Sequence, residues 1–230
     1  MSQPTQPTQP TQRHRADICD SDLLLLQNKA WAQAMVGRDA RYFARLSDTQ
    51  SPKFLWIGCA DSRVAADTIT GTQPGQLFVH RNIANVVVHT DLNLLSVLAY
   101  AVEVLEVEHV IVCGHHGCGG VKAAMTQRDY GLLNKWLLNI KEVYAHHIEE
   151  LEAVPAGKPR EDRLCELNAV SQLQNLAKTL IIQKAWNERG GPFLHAWVYD
   201  LGDGVLHQLD SLGPDHQVAS PFRLDMPEEG

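Results

Sequence analysis

The chain has 230 residues, of which 44% are hydrophobic, so it is long enough for one well-formed core and short for two. Its 20 Lys and Arg residues against 27 Asp and Glu residues give a formal net charge of −7. Because it has no basic run and no apolar stretch of membrane-spanning length, we expect neither a nucleic-acid nor a membrane partner. Five widely spaced cysteines favour free thiols over a disulfide framework, and the N-terminus lacks a secretory layout. Together these features predict a soluble, cytoplasmic protein.

Three segments are predicted along the chain. Residues 1–16 carry three Pro-Thr-Gln repeats, a polar low-complexity pattern that predicts a disordered tail. Residues 17–212 are predicted to form a single domain, and residues 213–230 a C-terminal tail. At the start of that domain, helical spacing of apolar residues predicts an N-terminal arm of two helices, from Asp20 to about Val36 and from Asp39 to Leu46.

Strands and helices then alternate. Short apolar runs predict strands at Phe54–Gly58, Leu77–His80 and His109–Gly114, with a helix from Thr90 to about Val107 before the last of them. This alternation is typical of parallel βαβ units. The helix after Thr90 is apolar on nearly every side and must therefore be covered all round, which we expect to happen in a subunit interface rather than inside the fold.

The second half of the chain is predicted to be helical before it ends in two strands around Gly202-Asp203-Gly204, which indicate an antiparallel hairpin. The predicted fold class is therefore α/β: a mostly parallel central sheet flanked by helices, with an antiparallel C-terminal edge hairpin and an N-terminal helical arm. The predicted elements of this half are helices at 119–125, 132–151 and 161–188, and strands at 193–200 and 205–209.

Two segments leave an apolar strand and enter polar, glycine-containing sequence. Cys59-Ala60-Asp61-Ser62-Arg63 follows the first strand, and His115-His116-Gly117-Cys118-Gly119-Gly120 follows the third. Because ligands bind beyond the carboxyl ends of parallel strands, we expect both segments at the same edge of the sheet. Thiolate and imidazole ligands together suit zinc, so the pattern predicts one Zn²⁺ held by Cys59, His115 and Cys118.

Asp61 lies two residues after Cys59 and two before Arg63, which leaves two opposite outcomes open. As a fourth ligand, Asp61 would close the site, and if it stayed there permanently the protein would be a non-catalytic, zinc-stabilised interaction module. Held by the guanidinium fork of Arg63, it would leave the fourth position open for water. The pair Asp61 and Arg63 is therefore predicted to be catalytic and to act as a gate.

These residues resemble the β-carbonic anhydrase family, whose signature pairs Cys-x-Asp-Ser-Arg with His-x-x-Cys-Gly-Gly. The resemblance runs from about Leu23 to Leu209 and includes Phe78-Val79-His80-Arg81-Asn82. It implies reversible hydration of carbon dioxide to bicarbonate and a proton by hydroxide on zinc, with one zinc per subunit. It also implies an obligate homodimer that assembles into tetramers. A hydrolase of the same fold acting on carbon disulfide or carbonyl sulfide is the nearest alternative.

A second similarity is to the bicarbonate-regulated (type II) bacterial members of the family. In these, a Trp, an Arg and a Tyr bind a non-catalytic, inhibitory bicarbonate and favour the state in which the Asp is on zinc. Trp56, Arg81 and Tyr199 stand in the matching contexts, although core packing and an ion pair would also account for them. The family's apolar carbon dioxide pocket is shared between subunits, and by position its candidate residues are Phe78, Ile83 and Tyr100.

Overall fold

The computed structural model describes residues 19–225, so the predicted disordered tail at 1–16 lies outside the described residues, as does the end of the predicted C-terminal tail. The helices and strands, in chain order, are α1 (Asp20–Arg38), α2 (Tyr42–Leu46), β1 (Phe54–Cys59), α3 (Ala66–Thr70), β2 (Leu77–Asn82), α4 (Leu92–Ala99), β3 (His109–His115), α5 (Gly119–Ala124), α6 (Leu133–His146), α7 (Ile148–Ala153), α8 (Lys158–Ala177), α9 (Leu180–Arg189), β4 (Phe193–Tyr199) and β5 (Leu206–Leu212).

The chain divides between Thr49 and Gln50 into two compact units. The first contains α1 and α2, where the Trp31 ring packs edge-on against Tyr42 and Phe43 at centroid distances of 6.3 and 5.7 Å. The second unit contains the sheet and the remaining helices. Whether the two units act together as the single domain expected over 17–212 stays a prediction. No helix among residues 19–225 combines the length and apolarity needed to cross a bilayer.

The second unit is built on a five-stranded sheet in the order β2-β1-β3-β4-β5. The pairs β2–β1, β1–β3 and β3–β4 are parallel, and β5 pairs antiparallel with β4 as the C-terminal edge strand. This arrangement confirms the predicted α/β class and its edge hairpin. Strands β1 and β3 are neighbours although β2 lies between them in sequence. The carboxyl ends of β1 and β3 therefore form a switch point, where α/β folds place their ligands.

The two faces of the sheet are packed differently. Alternate residues such as Leu55 and Ile57 point to the face covered by α4, α8 and α9, where the largest apolar cluster lies. The residues between them, Trp56 on β1 and Ile111 and Cys113 on β3, point to the opposite face and form a smaller cluster. The near-continuous burial of β1 and β3 follows from their central position in a parallel sheet.

Two of the long predicted helices are interrupted. The helix expected over 132–151 is divided at His147 into α6 and α7, and the helix expected over 161–188 is divided near Thr179 into α8 and α9. Thr179 has extended backbone angles, and its hydroxyl accepts a hydrogen bond from the Ile182 amide at 3.3 Å. A threonine cap restarts a helix in a new direction while the apolar spacing continues, so periodicity alone predicts one uninterrupted helix.

The helix expected from Thr90 to Val107 is shorter than predicted. The α-helix ends at Ala99, and the chain continues as a π-helical segment, Tyr100–Val104. By residues 19–225, only one side of α4 is covered: Leu94 and Leu98 are buried, whereas Leu92 is 76% exposed. The expectation that a subunit interface covers the remaining apolar surface stays a prediction. The short helix α3 was not predicted, because five residues are too few for a periodic signal.

Candidate metal centre

The carboxyl ends of β1 and β3 bring three buried side chains together. Cys59 is the last residue of β1, His115 is the last residue of β3, and Cys118 precedes α5. Their potential ligand atoms all lie within 4.8 Å of one another. Because β1 and β3 are adjacent and parallel, residues that are more than fifty positions apart end at the same edge of the sheet. The structure thus gathers the three side chains for which the sequence predicted zinc binding.

The donor atoms fit a tetrahedral zinc ion. Tetrahedral coordination with zinc–sulfur bonds of about 2.3 Å places two sulfurs about 3.8 Å apart, and the sulfurs of Cys59 and Cys118 are 3.9 Å apart. The Nδ1–H group of His115 donates to the carbonyl oxygen of His116 at 3.0 Å, which fixes the tautomer that leaves Nε2 free to bind a metal. His115 Nε2 is buried and has no hydrogen-bond partner in the described structure. A buried nitrogen without a partner calls for an explanation, and metal binding beside two sulfurs supplies one.

The electrostatics of the cluster favour a thiolate. The hydrogen bond from the Cys118 thiol lowers the pKa of Cys59 to about 4, with further contributions from His115 and from the amides of Asp61 and Ala84. The negative charge on Cys59 in turn raises the pKa of Cys118, so one proton is shared between the two sulfurs. A dication would displace that proton and bind both sulfurs as thiolates.

Asp61 and Arg63 form a bidentate ion pair beside the cluster. Arg63 Nε donates to Asp61 Oδ1 at 2.9 Å, its second guanidinium nitrogen donates to Oδ2 at 2.7 Å, and its amide donates to Oδ1 at 3.0 Å. These bonds hold the pKa of the Asp61 carboxyl well below its usual range. Asp61 Oδ2 lies 3.8 Å from His115 Nε2, so the carboxylate is at the border of the ligand cluster while Arg63 holds both of its oxygens.

Arg81 connects β2 to the segment that carries this ion pair. Its guanidinium donates to the carbonyl oxygen of Cys59 at 2.9 Å and to that of Asp61. In the strand registers, Trp56, Arg81 and Tyr199 point to the same face of the sheet, and Trp56 and Tyr199 belong to its small apolar cluster. The three residues predicted to bind bicarbonate are therefore on one face, and Arg81 already has two partners in the main chain.

The three candidate pocket residues lie in two places. The rings of Phe78 and Tyr100 pack together with centroids 5.8 Å apart. Ile83 is 41% exposed and lies against the start of α5, where a Cβ atom added to Gly120 would be 2.7 Å from the Ile83 side chain. Gly120 thus allows Ile83 to approach the segment that follows Cys118. Whether all three residues line one pocket stays a prediction.

Sequence reasoning missed the residues that hold the segment between His115 and Cys118. The His116 ring lies between two carboxylates, with Nε2 3.1 Å from Glu166 and Nδ1 3.3 Å from Asp200. The Gly117 amide donates to Asp162 at 2.9 Å. Asp162 and Glu166 lie one turn apart on α8, and Asp200 follows β4. No local pattern links these acids to the metal motif, because only the packing of α8 and the edge hairpin brings them close.

Comparison with known proteins identifies the family. The family model for carbonic anhydrase matches residues 54–206. The chain is 47% identical over 189 residues to a carbonic anhydrase of Emericella nidulans, covering 82% of this chain and 83% of the relative. It is 36% identical over 177 residues to a carbonic anhydrase of Pseudomonas aeruginosa, covering 74% of this chain and 79% of the relative.

Solved structures agree with the sequence relatives. One of two tetrameric β-carbonic anhydrases from the ascomycete Sordaria macrospora superimposes with a TM-score of 0.80 at 40% identity, covering 83% of this chain and 97% of that one. A Coccomyxa β-carbonic anhydrase in complex with acetazolamide gives a TM-score of 0.81 at 34% identity, covering 84% and 88%. The chain belongs to the β-carbonic anhydrase family. Its enzymatic class is that of a carbonic anhydrase.

Proposed function

We propose that this carbonic anhydrase is a zinc enzyme that catalyses the reversible hydration of carbon dioxide, and that Cys59, His115 and Cys118 hold the metal. The observation that carries the proposal is the buried cluster of two sulfurs and one imidazole nitrogen within 4.8 Å, in which His115 Nε2 has no other described partner. Zinc at such a site supplies Lewis acidity, lowering the pKa of water toward neutrality so that it can attack carbon dioxide.

The protein side chains have separate tasks in this reaction. The two thiolates neutralise the dication, and the carbonyl of His116 orients the His115 ring through the bond to Nδ1. Asp61 would orient the attacking water by accepting a hydrogen bond from it. Arg63 holds Asp61 in place for this task with two guanidinium bonds, at 2.9 and 2.7 Å.

The same pair gates access to the metal. Asp61 is 17% exposed and Arg63 is 57% exposed, so water can replace the guanidinium at small cost. A released Asp61 carboxylate, already 3.8 Å from His115 Nε2, would take the fourth position and close the site. Exchange of Asp61 between Arg63 and zinc would therefore switch the enzyme between active and inactive states.

Bicarbonate would favour the closed state by binding to Trp56, Arg81 and Tyr199. Their common sheet face and their chemistry support this, since one guanidinium and two ring donors suit a small oxyanion. Arg81 also donates to the Cys59 and Asp61 carbonyls, so an anion that draws it away would loosen the segment that carries the gate.

Substitutions at the bicarbonate-binding residues test the proposed inhibition separately from the hydration reaction. Tyr199→Phe and Arg81→Ala should each weaken bicarbonate inhibition, measured against that variant's own uninhibited rate. Tyr199→Phe is the cleaner variant, because Arg81→Ala also removes two main-chain bonds. Unchanged inhibition in both variants would remove the regulatory site from the proposal.

The proposal extends to assembly and location. A homodimer that associates into a tetramer is supported by the tetrameric Sordaria relative and by the exposed apolar side of α4. Such a dimer would complete an apolar carbon dioxide pocket around Phe78, Ile83 and Tyr100. A cytoplasmic location rests on the sequence pattern and stays a prediction.

Metal analysis combined with stopped-flow carbon dioxide hydration tests the core of the proposal. We expect one zinc per chain in the purified protein, and in Cys118→Ala a loss of both zinc and hydration. Cys113→Ala is the matched control, because Cys113 is also buried but belongs to a separate apolar cluster and not to the group of potential ligands. Wild-type protein that lacks zinc would refute the metal site. A zinc-loaded protein that hydrolyses carbon disulfide without hydrating carbon dioxide would favour the alternative hydrolase.

A further inference from the structure

The segment that follows β2 is held in an unfavourable backbone conformation. Ala84 and Asn85 have φ angles of 63° and 49°, in the left-handed region that residues with a Cβ atom seldom adopt. Both are buried, with exposed fractions of 0% and 2%. Strained backbone of this kind persists only where the surrounding structure fixes it, and it is concentrated at functional sites.

A row of amide side chains on α8 fixes this segment from one side. Asn168 Nδ2 donates to the Ala84 carbonyl at 2.9 Å, and Gln172 Oε1 accepts from the Val87 amide at 2.8 Å. Gln172 Nε2 also donates to Asn168 Oδ1 at 3.0 Å, and Asn175 donates to the Val87 carbonyl at 3.2 Å. The three amides share one face of the helix, since they are four and three residues apart. We refer to Asn168, Gln172 and Asn175 as the amide row.

Two further side chains fix the segment from its other side. The Asn82 side chain makes two hydrogen bonds to the main chain of Val86: it accepts one from the amide and donates one to the carbonyl, both at 2.8 Å. Trp136 Nε1 donates to the Ile83 carbonyl at 2.8 Å. Main-chain groups on both sides of Ala84 are therefore held by side chains from three elements.

The fixed segment presents one group to the metal cluster. The Ala84 amide donates a hydrogen bond to Cys59 Sγ at 3.4 Å. An amide aimed at a thiolate withdraws electron density from the sulfur and restricts its direction, as partners outside the ligand shell do in other metal sites. In this conformation the Ala84 carbonyl faces Asn168 while its amide faces the ligand.

We propose that the amide row consists of positioning residues for the metal centre: it holds the Ala84 amide on Cys59 and thereby sets the affinity for zinc. The inference rests on the proposed metal site. Burial of the row favours this role over general packing. Asn168 and Gln172 are 0% and 1% exposed, and buried amides cost free energy that leucines at the same positions would not. Their hydrogen bonds are directed at the strained segment and at each other.

Zinc affinity and the spectrum of the cobalt-substituted protein test the inference. In Asn168→Ala and Gln172→Ala we expect the zinc dissociation constant to rise about 10- to 100-fold, the range found when such outer partners are removed. The thiolate-to-cobalt charge-transfer band should move to lower energy, because a sulfur without its amide donor is more electron-rich. Gln174→Ala is the matched control on the same helix, since its side chain lies outside the amide row.

The results of these experiments distinguish a failure of this inference from a failure of the proposed function. Lower resistance to urea with unchanged zinc affinity and an unchanged cobalt band would show a purely structural role and overturn the inference. If Asn168→Ala does not fold, Asn175→Ala is the alternative variant, because it removes only the outermost bonds of the row. It should shift the zinc affinity and the cobalt band by a smaller amount. No shift in either quantity would also overturn the inference. Wild-type protein that binds neither zinc nor cobalt at the cluster would instead overturn the proposed function.

Discussion

The two segments that carry the metal ligands are held in opposite ways. The first loop, residues 60–63, lies at the surface, and its Asp61 is fixed by the exposed guanidinium of Arg63. The second loop, residues 116–118, is anchored to acids on α8 and to Asp200 beyond β4. The pair in the first loop depends on one exposed cation, whereas the second loop is held at several points around a part-buried histidine, and such a network is harder to break. The comparison supports the proposal that the second loop is a rigid ligand frame and the first a movable gate.

The largest expected effect comes from releasing the gate. Arg63→Ala should lower turnover about 100-fold, the size of effect seen when one preorganised catalytic hydrogen bond is lost, while zinc content is unchanged. The reason is that Asp61, freed from both guanidinium bonds, can close the fourth position. Steady-state kinetics with metal analysis measures both quantities.

The control for this variant is Lys53→Ala, which breaks another exposed ion pair, the 3.0 Å contact with Glu108. Lys53→Ala should leave turnover unchanged. Full turnover in Arg63→Ala would mean that Asp61 does not depend on Arg63 and that the first loop is not a gate.

A smaller effect is expected from weakening the contacts that hold the second loop. Asp162→Ala removes the carboxylate that accepts from the Gly117 amide, and zinc affinity should fall about 10-fold. Turnover of the fully zinc-loaded variant should change little, because the gate is untouched. Competition with a chromogenic chelator gives the affinity. Glu161→Ala, the adjacent position on α8 with a loose surface contact to Lys122 at 3.6 Å, is the control. Equal losses in the two variants would assign the effect to α8 in general.

The smallest effect concerns the backbone of the second loop. Gly117 has a φ of 65°, and nothing lies within 4 Å of an added Cβ atom. Gly117→Ala should therefore cost only the left-handed strain, about 1 kcal/mol of unfolding free energy, measured by urea denaturation. Gly119→Ala, at the helical start of α5 and equally open, should be neutral or slightly stabilising. Identical results for both glycines would exclude backbone strain in this loop.

Most of the sheet could be predicted from local patterns. The first three strands begin at the predicted residues and extend one or two residues further, because apolar runs between polar segments mark buried strands. The divisions at His147 and Thr179 could not be predicted, since the apolar stripe continues across both. The π-helical segment after Ala99 likewise has no periodic signal of its own.

By itself, the sequence determined the strands of the sheet, the α/β class and the chemical identity of the potential ligands, because periodicity and donor softness are properties of individual residues and their neighbours. The tertiary structure decided which groups surround those ligands. Three sets of contacts show this: the Ala84 amide on Cys59, the amide row behind it and the acids around His116. They join segments up to 88 positions apart through packing against the sheet. Such contacts depend on how helices lie on strands, which no local pattern encodes.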